Sequence, residues 1–336
     1  MNQDQKQLLK TAIDSLLDES KLDTVVTCAT SAGLDGSDVP VRLSLLHVRF
    51  SEDLPQETAL AKFLWKQCFM YALPRKRRIE LQKKAAEDIT VVADIFDRTR
   101  SVFLKFRKEY PHRASEVGEV LAYSIAVNYL KAAQMAAKMS LKTSTNMPVH
   151  GLDGIHAAYE NGALTIYFLE SKLSKSAIDG AKDYAESVSS FLKNEKQYLR
   201  EYELVGDLGN LDSLAGDERE LALRYFDIMN EPDLPRRERS IGVICHTEGK
   251  HYSNSIPVGS GSPDIHEKHF SSNYSQDLEK LSNAVVKYLE NHGANPKKCI
   301  VFFVAVPDVD SLREKFYSAM GLPDTQLTQA NNLPSP

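Results

Sequence analysis

The sequence lacks every feature that would announce its chemistry directly. Only four of its 336 residues are cysteine (Cys28, Cys68, Cys245 and Cys299), and none lies in a CxxC pair. That scatter excludes a zinc ribbon and a redox dithiol, leaving reduced thiols expected in or near the core of a cytoplasmic protein. No GxxxxGK[ST] and no GxGxxG is present, so nothing cradles ATP or a dinucleotide, and any energy-driven motor must be a partner. No apolar run reaches the ~18 residues of a membrane span. The first twenty residues carry neither an apolar stretch nor a small-residue cleavage site, so secretion is not expected. A large charge of one sign is missing too. Lys+Arg 41 against Asp+Glu 46 gives a net charge of −5, mild evidence against a protein that coats nucleic acid. His266-Glu267-Lys268-His269 is not a metalloprotease helix, because its histidines are three apart rather than four.

What is present is ordinary globular material, 42% hydrophobic, enough to bury a sizeable core. Leu8, Leu9, Ile13, Leu16 and Leu17 recur at helical spacing within 4–20. Val41–Phe50 reads as a strand, and 54–71 and 78–98 as helices. The run Arg75-Lys76-Arg77-Arg78 between them reads as solvated surface. Residues 98–110 are mixed. Further on, 203–220 is acidic and interrupted, 220–230 a short helix, 240–247 a strand, 253–274 a polar loop and 276–292 an amphipathic helix. Residues 298–306 form an apolar run, buried on both faces if a strand, and the residues after Leu322 are expected to fray.

The most ordered passage is 116–195. A helix over 116–137 precedes three strands at 138–145, 153–159 and 163–172, and a helix over 176–192 follows. Asn161-Gly162 between the last two strands is a strong hairpin signal, and Ser176 with Asp179 marks a capped helix start. Asp153 opens the hairpin, and Glu170-Ser171-Lys172 closes it sixteen residues later. Residues two apart on a strand share a face, roughly 6.5–7 Å apart. Glu170 and Lys172 therefore point together, and the hairpin returns Asp153 alongside Glu170. Two carboxylates beside one ammonium are costly when empty. A Mg²⁺ held by one or two carboxylates and water resolves the conflict, and it suits phosphodiester hydrolysis.

An E-x-K triplet alone has little specificity. Glu248-Gly249-Lys250, with Asp233 fifteen positions earlier, supplies the spacing without a hairpin turn between its members or a capped helix behind it, and is expected to be incidental. Lys175, Lys182, Lys138 and Lys142 are expected to be solvated rather than to touch phosphate.

The passage resembles the PD-(D/E)xK nuclease superfamily, whose core is a helix, three strands and a helix. A glutamate on the first helix often joins the metal site there. Glu119, after Gly118, fits that place and shares a helix face with Tyr123, Ala126 and Leu130; Glu116 is its competitor. The order GEVLAYSIA, KMSLKTST, GLDGIHAAY, ALTIYFLESK and a helix containing DGAKDYAESV more specifically resembles the HamA family, the nuclease subunit of the two-component Hachiman anti-phage system.

The resemblance implies a metal-dependent DNA endonuclease of low sequence specificity. It would be held quiet by a HamB-like helicase subunit that senses phage-associated DNA damage. It implies a site of Asp153, Glu170 and Lys172 with Glu119, and Mg²⁺, or Mn²⁺ in its place, held by Asp153, Glu170 and Glu119. The expected fold is α/β: a restriction-endonuclease-like core at 100–200 on a mixed central sheet flanked by helices. An N-terminal elaboration would occupy 1–99, and a C-terminal α/β elaboration, 201–336, would pack on the same sheet. The expected partners are DNA and the helicase, with no membrane. Two rivals remain open: a non-catalytic partner-binding subunit of a defence or repair complex, and a nuclease acting on RNA.

Overall fold

Four strands running in one direction form the middle of the protein. They are β2 (Arg42–Val48), β7 (Ala163–Ser174), β8 (Arg237–Thr247) and β9 (Cys299–Val306), lying side by side in the order β2-β9-β8-β7. Antiparallel strands close both sides: β1 (Val26–Ala32) beside β2, and β6 (Gly154–Glu160) then β5 (Ala133–Gln134) beyond β7. The result is a mixed seven-stranded sheet; β3 (Phe50–Ser51) and β4 (Leu54–Pro55) form a separate small ribbon. The computed structural model describes residues 2–34, 39–109, 115–139, 151–234, 236–259 and 261–321.

Helices cover both faces. On one lie α2 (Glu57–Ala72), α5 (Glu116–Tyr129) and α12 (Val309–Ala319), with α3 (Arg75–Glu87) and α4 (Val91–Glu109) outside them. On the other lie α1 (Gln3–Leu16), α6 (Ala177–Lys193), α7 (Glu195–Leu208), α8 (Gly216–Phe226), α10 (Ile265–Ser275) and α11 (Leu278–His292); a one-turn α9 (Gly249–Ser253) follows β8. Because β9 is covered on both faces, all eight of its residues are buried, which explains its unbroken apolar run. Each buried Val, Leu, Ile or Phe contributes roughly 1.5–3 kcal/mol relative to exposure.

The local chemistry accounts for the passage around the hairpin. Asn161 (φ 50°) and Gly162 (φ 74°) both take the left-handed conformation that a two-residue hairpin turn requires. The Ser176 hydroxyl caps α6 by accepting the Asp179 amide at 3.3 Å. At Gly118 the first turn of α5 rests directly on β7. A Cβ there would come within 2.3 Å of Leu173 Cδ1 and 3.1 Å of Ser171 Oγ, so only glycine allows the approach.

Several expectations need correction. The helix–three strands–helix order holds across 116–193, but the first strand is the two-residue β5 at 133–134. Lys138 and Met139 are not in a strand, and the rest of the expected 138–145 strand lies outside the described residues, as do Lys142 and the tail after Leu322. Residues 91–109 form one helix, and the polar 253–274 stretch contains α10, whose buried Phe270 and Tyr274 pack on β2 and β9. Strand β1 carries alternating small and polar residues, too weak a pattern to announce an edge strand. Cys28 on it is exposed, whereas Cys68, Cys245 and Cys299 are buried; all four are free thiols.

The basic run is also not simply solvated surface. Arg78 makes a two-pronged ion pair with Asp18 (Nη1–Oδ1 2.9 Å, Nη2–Oδ2 2.8 Å), and Arg75 reaches the same carboxylate at 3.1 Å. The Tyr123 hydroxyl donates to Asp18 as well. Since α3 turns two of the four basic residues inward, the run ties α3 to α1 and α5. Among described residues no helix is long and apolar enough to cross a membrane.

Candidate active site

Strand β7 places the proposed residues by alternation. Ser171 and Leu173 face α5, and Glu170 and Lys172 face α6. Lys172 Nζ lies 2.6 Å from Glu170 Oε1 and 2.8 Å from Ser187 Oγ on α6. Glu170 is buried and Lys172 is partly exposed. Glu170 Oε2 makes no hydrogen bond among the described residues. This pair lines a cleft of about 470 Å³, with Gly151 and Leu152 before the hairpin and Asp183, Glu186 and Ser187 from α6. Two more carboxylates thus edge the cleft. They stand at helical spacing on α6, where no sequence signal sets them apart from other surface acids.

Asp153 is beside Glu170 in backbone terms, because its amide donates to Leu169 O at 2.8 Å and the strand ladder starts at the next residue. Its carboxylate turns elsewhere. One oxygen accepts both the Ser171 amide and the Ser171 hydroxyl, each at 2.6 Å. Strand β7 runs on past the start of β6, and Asp153 takes the place of the missing strand carbonyl.

Glu119 is buried in the first turn of α5, as the apolar helix face implied. Its Oε2 accepts the Tyr71 hydroxyl at 2.6 Å, and its Oε1 accepts Ser115 Oγ at 3.0 Å. Burial raises the Tyr71 phenol well above its ordinary range, and the Glu119 and Asp153 charges raise it further. Tyr71 therefore stays protonated as the donor to Glu119. The competitor Glu116 is also buried and accepts the Tyr317 hydroxyl at 2.7 Å.

The four residues fall into two halves across β7. Glu170 and Lys172 meet in the cleft, while Asp153 is held by Ser171, and Glu119 by Tyr71 and Ser115. The three carboxylates do not form a tight ligand group. Among the described residues, the set with three ligand atoms within 4.8 Å of one another is Glu248, His251 and Asp277. There Glu248 caps α9 through the His251 amide at 3.2 Å, and His251 Nε2 lies 2.9 Å from Asp277 Oδ2, tying α9 to the start of α11. As for Mg²⁺, the oxygen-only donor set suits a hard cation. The second oxygen of Glu170 and the adjoining cleft leave room for a hydrated one.

Lys138 corrects another expectation. It is buried, donating to Leu152 O at 2.6 Å and pairing with the buried Glu201 of α7. A Cβ at Gly151 would strike Glu201 Oε1 at 2.4 Å. This pair therefore sits directly behind the Gly151-Leu152 segment that delivers Asp153. Lys175 and Lys182 are exposed as expected, Lys175 lying 3.2 Å from Asp310.

The fold and cleft together define an α/β protein with a mixed seven-stranded sheet and a carboxylate–lysine pair on a central strand. The family model HamA matches residues 19–320, and the chain belongs to the HamA family. HamA is the nuclease-like subunit of the Hachiman system, which gives this chain a role in antiviral defence. No curated protein matches the chain, and no solved structure does.

Proposed function

We propose that this HamA-family protein is a metal-dependent DNA endonuclease with a PD-(D/E)xK-type core, controlled by a HamB-like helicase subunit of the same system. The observation that carries the reading is the Glu170–Lys172 pair at 2.6 Å on the floor of an open, acid-edged cleft, followed by the capped helix α6. Glu170 and Asp153 would hold Mg²⁺ or Mn²⁺, with Glu119 supporting Asp153 from the α5 side or joining the ligand set. When bound, the ion polarises a phosphoryl oxygen and acidifies a water.

The chain's own residues supply the rest. Lys172 is held at two points, by Glu170 and Ser187, so its ammonium is fixed where a phosphate entering the cleft develops negative charge. Tyr71 holds the Glu119 carboxylate, and Ser171 holds the Asp153 carboxylate away from Glu170. The open mouth of the cleft encloses no pocket that would read a base, which suits cleavage with little sequence specificity.

The rival reading is a non-catalytic subunit that only binds its partner. It draws support from the hydrogen bonds that already occupy Asp153 and Glu119. The deciding experiment compares wild type with Glu170→Ala and Lys172→Ala on plasmid, linear and single-stranded DNA and on RNA. Each is assayed with Mg²⁺, Mn²⁺ or EDTA, alone and with the helicase. Metal-dependent DNA cleavage that both variants lose is expected. A wild type inert under every condition overturns the reading in favour of the non-catalytic one, and cleavage confined to RNA overturns the substrate.

A further inference from the structure

A nuclease with a net charge of −5 must still grip a polyanion, and the cleft, edged by acids, is poorly suited to do so. The rim at the opposite end of the parallel strands has the reverse character. Arg42 is the first residue of β2, Arg237 the first of β8, and Arg239 lies two residues further along β8. The register places Arg42 opposite Ile300 and Ile241 opposite the same Ile300, so Arg42 and Arg239 flank the start of β9. All three share one face. Ile241 and Val243 of β8, and Leu46 and Val48 of β2, occupy the α5-side core at even spacing from them. The intervening Glu238 faces the other way, where it accepts the Tyr198 hydroxyl at 2.6 Å.

These arginines differ from several others in the chain. Arg75 and Arg78 pair with Asp18, Arg313 pairs with Asp310, and Arg236 donates to four backbone carbonyls. Arg42, Arg237 and Arg239 have no carboxylate ion pair among the described residues. Arg239 donates to the neighbouring Glu238 carbonyl at 2.7 Å, and Arg237 makes one long bond to Glu160 O at 3.5 Å. Among the described residues Glu160 is the carboxylate that acts on Arg239, and it already accepts the Tyr167 hydroxyl at 2.7 Å. The crowding has an electrostatic signature. Partial burial lowers the Arg239 pKa, and the Arg42 and Arg237 charges lower it further, with Glu160 opposing them.

We propose that Arg42, Arg237 and Arg239 form a second, non-catalytic contact for the DNA backbone, gripping phosphates at the end of the sheet away from the cleft. β2 and β8 are two strand spacings apart, roughly 10 Å, and the two β8 arginines are roughly 7 Å apart along the strand. That span exceeds a single phosphate and fits successive phosphates of a polymer. Guanidiniums present planar donor forks that match phosphate oxygens. The choice of DNA rests on the nuclease reading above; the anion-binding character of the rim does not.

The test measures binding of the full chain to a labelled DNA duplex by fluorescence anisotropy, in EDTA so that no cleavage occurs, at about 50 to 200 mM salt. The triple variant Arg42→Ala/Arg237→Ala/Arg239→Ala is expected to raise Kd at least tenfold. It should also flatten the log Kd against log salt slope by about 0.9 for each lost contact. The corresponding triple lysine variant should keep most of the slope. If the alanine variant does not fold, DNA protection of these arginines from phenylglyoxal in the wild type is the second measurement. Unchanged Kd and slope, absence of protection, or binding confined to RNA overturns the proposal. Binding through the arginines by a chain that cleaves under none of those metal and helicase conditions sinks the nuclease reading and keeps this site; cleavage with binding indifferent to the arginines does the opposite.

Discussion

Asp153 and Ser171 are joined twice, one carboxylate oxygen accepting both the amide and the hydroxyl of the serine at 2.6 Å. Asp153 must therefore give up part of this attachment before it can share a cation with Glu170. Ser171→Ala removes one of the two bonds and leaves the amide. It should cost about 1 kcal/mol in stability and lower the Mg²⁺ concentration that half-saturates DNA cleavage. A metal titration of the cleavage rate checks this; a higher requirement would show that the serine prepares Asp153 rather than restrains it.

Ser187 acts on the other half of the site by holding Lys172 at 2.8 Å. Lys172→Ala should lower the cleavage rate by about 10²-fold or more. Ser187→Ala should lower it only about tenfold, because the Glu170 contact still holds the ammonium. Single-turnover rates separate the two, and equal losses would mean that Ser187 touches the substrate itself.

The buried Lys138–Glu201 pair gives a stability prediction with a built-in control. Lys138→Met strands the Glu201 carboxylate in the interior and should cost about 3–5 kcal/mol. Replacing both, Lys138→Met with Glu201→Leu, should recover most of that loss. Urea denaturation measures both. A double variant as unstable as the single would mean that the Lys138 bond to Leu152 O, rather than charge pairing, sets the cost.

His156 on β6 provides the pH dependence. Complete burial pushes its pKa down to about 3 from 6.5, and neither ring nitrogen finds a hydrogen bond among the described residues. Between those values the unfolded chain binds a proton that the native chain refuses, so stability falls as pH falls below 6.5. From pH 7 to 5 this one group should cost about 2 kcal/mol. His156→Leu should remove that increment, seen as a smaller loss of stability between pH 7 and pH 5. An identical loss in both proteins would show that His156 is not the group responsible.

The hairpin, its Asn-Gly turn, the cap at Ser176 and the shared face of Glu170 and Lys172 were legible in the sequence because each rests on contacts within about twenty residues. The inward direction of Glu119 was legible from helical periodicity. Strand β1 and helix α10 were not, since their patterns are weak and their burial comes from partners more than 200 residues away, as in the Thr27–Glu267 bond at 2.8 Å. Lys138 was misjudged for the same reason. A lysine reads as solvated until the fold brings a glutamate 63 residues away to meet it.

By itself, then, the sequence determined the chemistry on offer: no phosphate loop, no metal-binding cysteines, and one carboxylate–lysine motif on a strand between a hairpin turn and a capped helix. Periodicity and turn chemistry are local, so one chain suffices to read them. Only the tertiary structure decided how the charges are spent. It turned Arg75 and Arg78 inward onto Asp18, held Asp153 and Glu119 apart from the cleft by Ser171 and Tyr71, and gathered three arginines at the far rim. Those outcomes depend on which strands become neighbours. The near-neutral balance of the whole chain conceals an acidic cleft and a basic edge, because charge adds over the sequence but acts over a few ångströms in space.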